Sequence, residues 1–350
     1  MRRRKLGIAL AVVLVAAAIA AVVYLRSRSA PEAARLLPES DAVLFVNLRL
    51  MRLEHVFGAA PPISYDPDYE QFVKETGFQF ERDLDQAAFA IHAFAGPSTP
   101  DATLLERARY SEIFIGKFDA QRARAYLRKL SSNTEDYRDV VIYSIPHEGR
   151  TVRAAILGLD TVAVSNLPDA APIHEMIDKY QAAAWPASGP SLVRDHYRQV
   201  PLGSLAWALA QLPAQVSRDT GVDLPGGWVL PARWLAGSTV VASARYLGAL
   251  HLRIEALTQS DEHAQQLLET VRTFFALIKT ADLSTTQGGT DPDVKAFFGS
   301  LKVEAHGNRV ALAASIPQGF LRKALTPPPS PPPVEAPALP PQPPSKKSKK

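Results

Sequence analysis

The segments AAILGLDTVAVSNLP (residues 154–168) and VEAHGNRVALAASIP (residues 303–317) share one plan: strand, tight turn, strand, closing proline. Their turns, Gly158-Leu159-Asp160 and Gly307-Asn308, use residue types that reverse a chain inside a hairpin. A plan that recurs along a chain restricts the fold strongly, because both copies must close the same kind of core.

The preceding elements recur in the same order. Leu37-Pro38 leads into an apolar strand over 42–48, and Val200-Pro201 leads into another over 205–212. Both are apolar on either face, as in strands covered from both sides. A Thr-Gly pair follows each, at Thr76-Gly77 and Thr220-Gly221. Residues 67–75 carry a helical pattern (Tyr69, Phe72, Val73), so Gly77 reads as the residue just past a helix. Second strands are expected over 87–94 and 239–247, and third strands over 111–118 and 249–257, with Gly248 making a tight turn between the last two. In 249–257 the alternation predicts Leu250, Leu252 and Ile254 inward, with His251, Arg253 and Glu255 outward.

Each third strand then runs into a capped amphipathic helix. Asp119 caps one with Ala123, Tyr126, Leu127 and Leu130. Ser260 caps another with Ala264, Leu267, Leu268, Val271, Phe275 and Ile278. After the closing prolines come two more helices, with Ile173, Met176 and Ile177 in one and Phe320, Leu321 and Leu325 in the other. The expected fold is α+β: two tandem sheet-and-helix modules over 30–183 and 191–325, with a linker from Ala182 to Ser191 that holds Pro186, Gly189 and Pro190. Two unrelated α+β halves are the alternative to duplication.

From Leu6 to Leu25 the chain has twenty residues without a charge, directly after Arg2, Arg3, Arg4 and Lys5. About 20 apolar residues span a ~30 Å hydrocarbon core as one helix. The basic flank exceeds Arg26 and Arg28 behind the run, which leaves the N-terminus in the cytoplasm. Residues 1–29 thus read as a basic stub and a transmembrane anchor. The expected location is a bacterial cytoplasmic (inner) membrane, with the body on the outer side. Ala18-Ile19-Ala20 has the form of a signal cleavage site, and a cleaved leader is the rival reading. Against it stand the length of the run, its continuation through Val22, Val23 and Leu25, and the arginines that follow.

The chain contains no cysteine, so no disulfide, thiolate metal site or lipid-acylated cysteine is available. Six of its 39 Lys and Arg precede Ala30 and four follow Leu325; of its 35 Asp and Glu only Glu335 lies outside the body, which leaves 29 against 34, or −5. That balance argues against a nucleic-acid partner, which would need positive charge on the folded surface. The tail, 326–350, has eleven prolines in 25 residues and ends on Lys346, Lys347, Lys349 and Lys350. Such a segment is extended and has no core. It reads as a disordered spacer or as a tether holding a cationic tip against an anionic envelope polymer or headgroups.

Chemical motifs are sparse. There is no G-x-S-x-G elbow, no Walker loop and no G-x-G-x-x-G. His174-Glu175-Met176-Ile177-Asp178 is the nearest approach to a zinc helix, with Asp178 where the second imidazole would stand and no third ligand at hand. These residues are expected to be a solvated face that binds no metal. Arg122, Arg124, Arg128 and Lys129, with Arg107 and Arg109 upstream, make a basic helix face that could meet an anionic partner or simply water. Trp207 belongs in a core. Trp228 and Trp234, in a stretch with Gly226, Gly227 and Pro231, are either binding anchors or local packing. No catalytic, cofactor or metal residue is assigned.

LLPESDAVLFVNL (residues 36–48) and ETGFQFERDLDQAAFAI (residues 75–91) resemble a family of uncharacterised bacterial envelope proteins. Those proteins have an N-terminal membrane anchor and an extracytoplasmic body of repeated α+β modules. The resemblance covers about 36–165 and implies location and architecture, with no activity attached. The second copy lacks a counterpart to Glu81-Arg82-Asp83. The expected function is a non-enzymatic, membrane-anchored binding or scaffolding body whose partner is an envelope protein or anionic polymer. A membrane-tethered hydrolase and a secretion or assembly factor are the alternatives.

Overall fold

The computed structural model describes residues 29–54, 67–92, 109–183, 188–214, 221–224, 228–285 and 292–319. The run from Leu6 to Leu25, the tail, and the helix expected at Phe320, Leu321 and Leu325 lie outside them. Among the described residues no helix is long and apolar enough to cross a membrane.

In chain order the first half contains α1 (Glu32–Leu36), β1 (Ala42–Asn47), α2 (Leu48–Leu53), α3 (Pro67–Thr76), α4 (Phe80–Asp83), β2 (Leu84–His92), β3 (Arg109–Gly116), α5 (Ala120–Leu130), β4 (Asn133–Tyr137), β5 (Val140–His147), β6 (Arg150–Ile156), β7 (Thr161–Ser165) and α6 (Ala171–Gln181). The second contains α7 (Ser191–His196), β8 (Ala206–Gln211), β9 (Gly221–Leu224), β10 (Trp228–Pro231), β11 (Thr239–Tyr246), β12 (Leu250–Leu257), α8 (Asp261–Thr285), α9 (Pro292–Ser300), β13 (Lys302–His306) and β14 (Arg309–Ile316). The fold is α+β, built on a large antiparallel sheet.

Twelve strands form that sheet, in the order β13-β14-β12-β11-β8-β1-β2-β3-β7-β6-β5-β4; β9 and β10 pair separately. The two halves meet where β1 pairs with β8, with Val43 opposite Leu209 and Phe45 opposite Trp207. The Phe45 and Trp207 rings stack at 5.4 Å. Outward from this seam one side runs β1, β2, β3, β7, β6 and the other β8, β11, β12, β14, β13. The first side is longer by the hairpin β4–β5, of which the spacing of apolar residues does not predict β4. β4 (NTEDY) is exposed along most of its length, as suits an edge strand.

The main core lies on one sheet face. Ala88, Ile113, Ala163, Ala155 and Ile142 form a row with no solvent exposure, and α1, α6 and α7 pack over it through Ala33, Ala34, Leu36, Ile173, Met176, Ile177 and Val193. Alanine on strand and helix alike lets the layers approach closely. On the opposite face α8 covers Ala256 and Val310 with Ala264, Leu267 and Val271. Near the start of β2, Phe78, Leu84 and Ala87 gather Phe72, Phe89, Phe114 and Phe118. The outward side predicted for β12 is therefore only partly in water: Glu255 is 12 % exposed and bonded to Arg253 at 2.6 Å.

The residues around the predicted linker are tied down. Glu39 accepts from both the backbone N–H and hydroxyl of Ser191, each at 2.8 Å, and pairs with Arg194 at 3.2 Å. Gly189 (φ +116°) sits where a Cβ would lie 3.2 Å from the Arg35 Cα.

Candidate functional site

The expected caps form. Asp119 accepts from the N–H groups of Gln121 and Arg122, and the Ser260 hydroxyl accepts from His263 N–H at 3.2 Å. Gly77 adopts φ +74° and its N–H reaches the Val73 carbonyl, ending α3 as the sequence predicts. Arg122 then donates to the last carbonyls of α3, Lys74 (2.7 Å) and Glu75 (3.0 Å), and Lys129 pairs with the Glu75 carboxylate at 2.6 Å. Two members of the basic face thus complete a helix C-terminus. Arg124 and Arg128 stay exposed, Arg109 donates to the Asn166 carbonyl at 3.4 Å, and Arg107 lies outside the described residues.

The zinc-like helix is α6, and its polar residues are taken up by neighbouring side chains. His174 Nε2 lies 2.8 Å from Glu135 Oε1, its ring stacked on Tyr137 at 3.9 Å. Asp178 accepts from the Tyr137 hydroxyl at 3.2 Å and pairs with Arg138 at 3.1 Å, while Glu175 pairs with Lys179 at 2.7 Å. The contacts fasten the β4–β5 hairpin to α6. Arg138 and Asp139 form its turn with φ of +50° and +64°.

A hydrogen-bonded serine and histidine occur where the sequence gives no hint. His92 Nε2 lies 3.1 Å from the Ser111 hydroxyl, which reaches Ser165 at 3.2 Å. Nucleophile and base are within reach of each other. Ser111 has no solvent exposure, however, so a substrate carbonyl has no route to it. Burial lowers the His92 pKa, against the charges of Asp41 and Glu175. On the opposite face of β3, between Phe89 and Val164, burial pushes the Glu112 carboxyl up to about 7.

The Glu81-Arg82-Asp83 motif is structural. Asp83 is held by both ends of the Arg82 guanidinium (2.7 and 2.8 Å) and accepts from Gln79 N–H, which together lower its pKa despite burial. Its carbonyl accepts from Lys117 N–H, and a Cβ on Gly116 would stand 2.5 Å from it.

A cavity of about 370 Å³ opens beside the first turns of α8. Its walls include Arg233 and Trp234 from one stretch of chain and Thr258, Gln259, His263 and Gln266 from another. Gly237 (φ +71°) makes the turn behind it, where a Cβ would meet the Gln259 amide at 2.7 Å. Trp234 meets Phe274 edge-on at 5.2 Å, which fixes the indole as a wall. The Arg233 and His263 side chains are exposed and have no ion pair among the described residues. Among the described residues no carboxylate lines the cavity, and its polar groups suit an anionic or hydroxylated ligand with a ring face. Trp207, by contrast, is 2 % exposed. The backbone of Trp228 lies in β10 and its side chain is outside the described residues. No group of three or more His, Asp or Glu suited to a metal occurs among the described residues.

No family model matches the chain, and no curated protein matches it. Solved structures titled as crystal forms of TP0453 show a distant likeness. Form III has 8% identity and a TM-score of 0.42 over 84% of this chain and 97% of that one. Form IV has the same identity and score over 85% and 97%. Form I scores 0.39 at 8% identity over 85% and 98%.

Proposed function

We propose that the chain is a single-pass protein of a bacterial inner membrane whose body, outside the cytoplasm, binds or scaffolds an envelope component without catalysing a reaction. The observation that carries this reading is the composition of the α8 cavity. An arginine, an imidazole, two carboxamides and an indole stand there, with no carboxylate beside them among the described residues. Elsewhere the titratable clusters serve structural ends: His174 and Asp178 hold a hairpin, Asp83 holds a turn, and the Ser111 hydroxyl is closed off. The uncharged run from Leu6 to Leu25 and its basic flank support the location. The shared strand order on either side of the β1–β8 seam supports reading the body as two copies of one module. The cationic tail would add a second hold on an anionic polymer.

Topology and binding test this together. A reporter active only outside the cytoplasm, fused after Leu325, is expected to be on, with the protein retained in membranes after a high-salt wash. The purified full chain is expected to cosediment with isolated anionic cell-wall polymer, and Arg233→Ala with His263→Ala to weaken that binding. A soluble species starting near Ala21 overturns the anchor, and undiminished binding by the double variant overturns the cavity as the site.

A further inference from the structure

Of the eight large apolar side chains exposed among the described residues, Leu44, Phe80, Leu130 and Leu277 lie on strand and helix faces. The other four, Leu53 (65 % exposed), Leu159 (83 %), Leu202 (47 %) and Leu247 (69 %), sit at one end of the sheet. The register fixes their places. β1 leaves the sheet there at Asn47, whose N–H donates to the Leu205 carbonyl, and α2 follows to Leu53. Leu202 lies in the turn closed by Ser204 N–H on the Pro201 carbonyl, just before β8. Leu247 is in the β11–β12 hairpin, beyond the pair Tyr246 and Leu250. Leu159 is in the β6–β7 turn, where Asp160 accepts from Gly116 N–H at the end of β3. Among the described residues the two hairpin turns at the other end of the sheet are Glu148-Gly149 and Gly307-Asn308, which carry no large apolar group.

Single exposed leucines are ordinary on a protein surface, whereas a set confined to the turns at one end asks for an apolar neighbour. The path of the chain indicates which one. α1 packs against α6, and Lys179 in the last turn of α6 donates to the Leu37 carbonyl just past α1. The next residue, Tyr180, stands over Gly158, in the turn that presents Leu159. The chain therefore enters the body at the leucine end, and Ser29, the first described residue, follows the apolar run by only a few positions.

We propose that this end of the sheet seats on the lipid bilayer, with Leu53, Leu159, Leu202 and Leu247 entering its interfacial layer. The proposal rests on the anchor reading. A body tethered by a few residues meets the lipid surface at high effective concentration, so a few apolar tips suffice to orient it. Exposed charges of both signs stand at this end, Arg49, Lys117 and Arg138 with Glu54, Asp139 and Asp160, so the leucines and not a cationic surface set the character of the contact.

The chain has no cysteine, so single labels can be placed at will. The full chain is reconstituted in phosphatidylcholine–phosphatidylglycerol vesicles with and without brominated acyl chains. It carries a bimane at Leu159→Cys, Leu202→Cys or Leu247→Cys, or at Glu148→Cys or Asn308→Cys as controls. Insertion of roughly 5–10 Å is expected to quench the three leucine-end labels about twofold and to leave the controls unchanged. Quenching at neither end, in protein that floats with the vesicles, overturns the seating and leaves the anchor intact. Equal quenching at both ends also overturns it, since the body would then lie flat. Protein that fails to float removes the anchor and the seating with it.

Discussion

Glu112→Gln converts the buried carboxyl of β3 into a neutral group of the same shape. In the unfolded chain this carboxyl titrates near 4.5, and in the folded protein burial holds its proton to about pH 7. A folded state that keeps a proton to higher pH than the unfolded state is favoured most below 4.5. It loses that advantage as pH rises through 7, beyond which the cost is constant. The interval, about 2.5 pH units at 1.36 kcal/mol each, corresponds to about 3 kcal/mol. Wild type and E112Q should therefore be similarly stable at pH 4, and the variant the more stable by up to about 3 kcal/mol at pH 8, or roughly 6–12 °C in Tm for a body of this size. Melts of the full chain in detergent, followed by circular dichroism from pH 4 to 8, give the difference directly. Burial lowers the His92 pKa, which acts on stability with the opposite sign, but His92 is present in both proteins, so its contribution cancels. A difference that does not change with pH, or a variant less stable at pH 8, refutes the assignment of a carboxyl held neutral by burial.

Two backbone predictions follow from glycine geometry and turn strain. Gly116→Ala would bring a Cβ to 2.5 Å from the Asp83 carbonyl oxygen and 3.0 Å from the Leu84 Cα, so β3 must shift from β2; a loss of about 1–3 kcal/mol in urea melts is expected, and an unchanged midpoint would disprove the close approach. Asp139→Gly relieves a left-handed residue (φ +64°) in the β4–β5 turn and should raise stability by about 0.5–1 kcal/mol, whereas a lower melting temperature would show that the aspartate side chain holds that turn.

Much of the fold is legible where the signal is local. The caps at Asp119 and Ser260, the stop at Gly77 and the reversal at Gly248 each depend on a residue whose chemistry acts within a few positions. Of the β4–β5 hairpin, β4 is not legible, because NTEDY is polar up to Tyr137 and alternates no buried face, whereas the apolar run of β5 (VVIYSI) is visible in the sequence. That β1 pairs with β8 is also hidden: both strands read as covered on two faces, but neither names its neighbour. Glu112 looks like the outward position of an alternating strand, and only the covering of both sheet faces makes it partly buried. The α8 cavity escapes detection because Arg233 and Trp234 join His263 and Gln266 through folding rather than spacing. The metal-like spacing on α6, conversely, is real in sequence and is taken up by Glu135, Tyr137 and Arg138.

The seam has a kinetic consequence. β1 is made early, yet its second neighbour, β8, is complete only at Gln211, long after the first half closes at Ser165. At roughly 5–20 residues per second, the edge of β1 waits roughly 2–10 s for its partner. During that interval AVLFVN presents unpaired backbone donors and acceptors and an apolar surface to any neighbouring nascent chain. Variants that slow β8, or truncations that end before it, should therefore accumulate as aggregates of the first half, with β1 paired to β1 of another molecule.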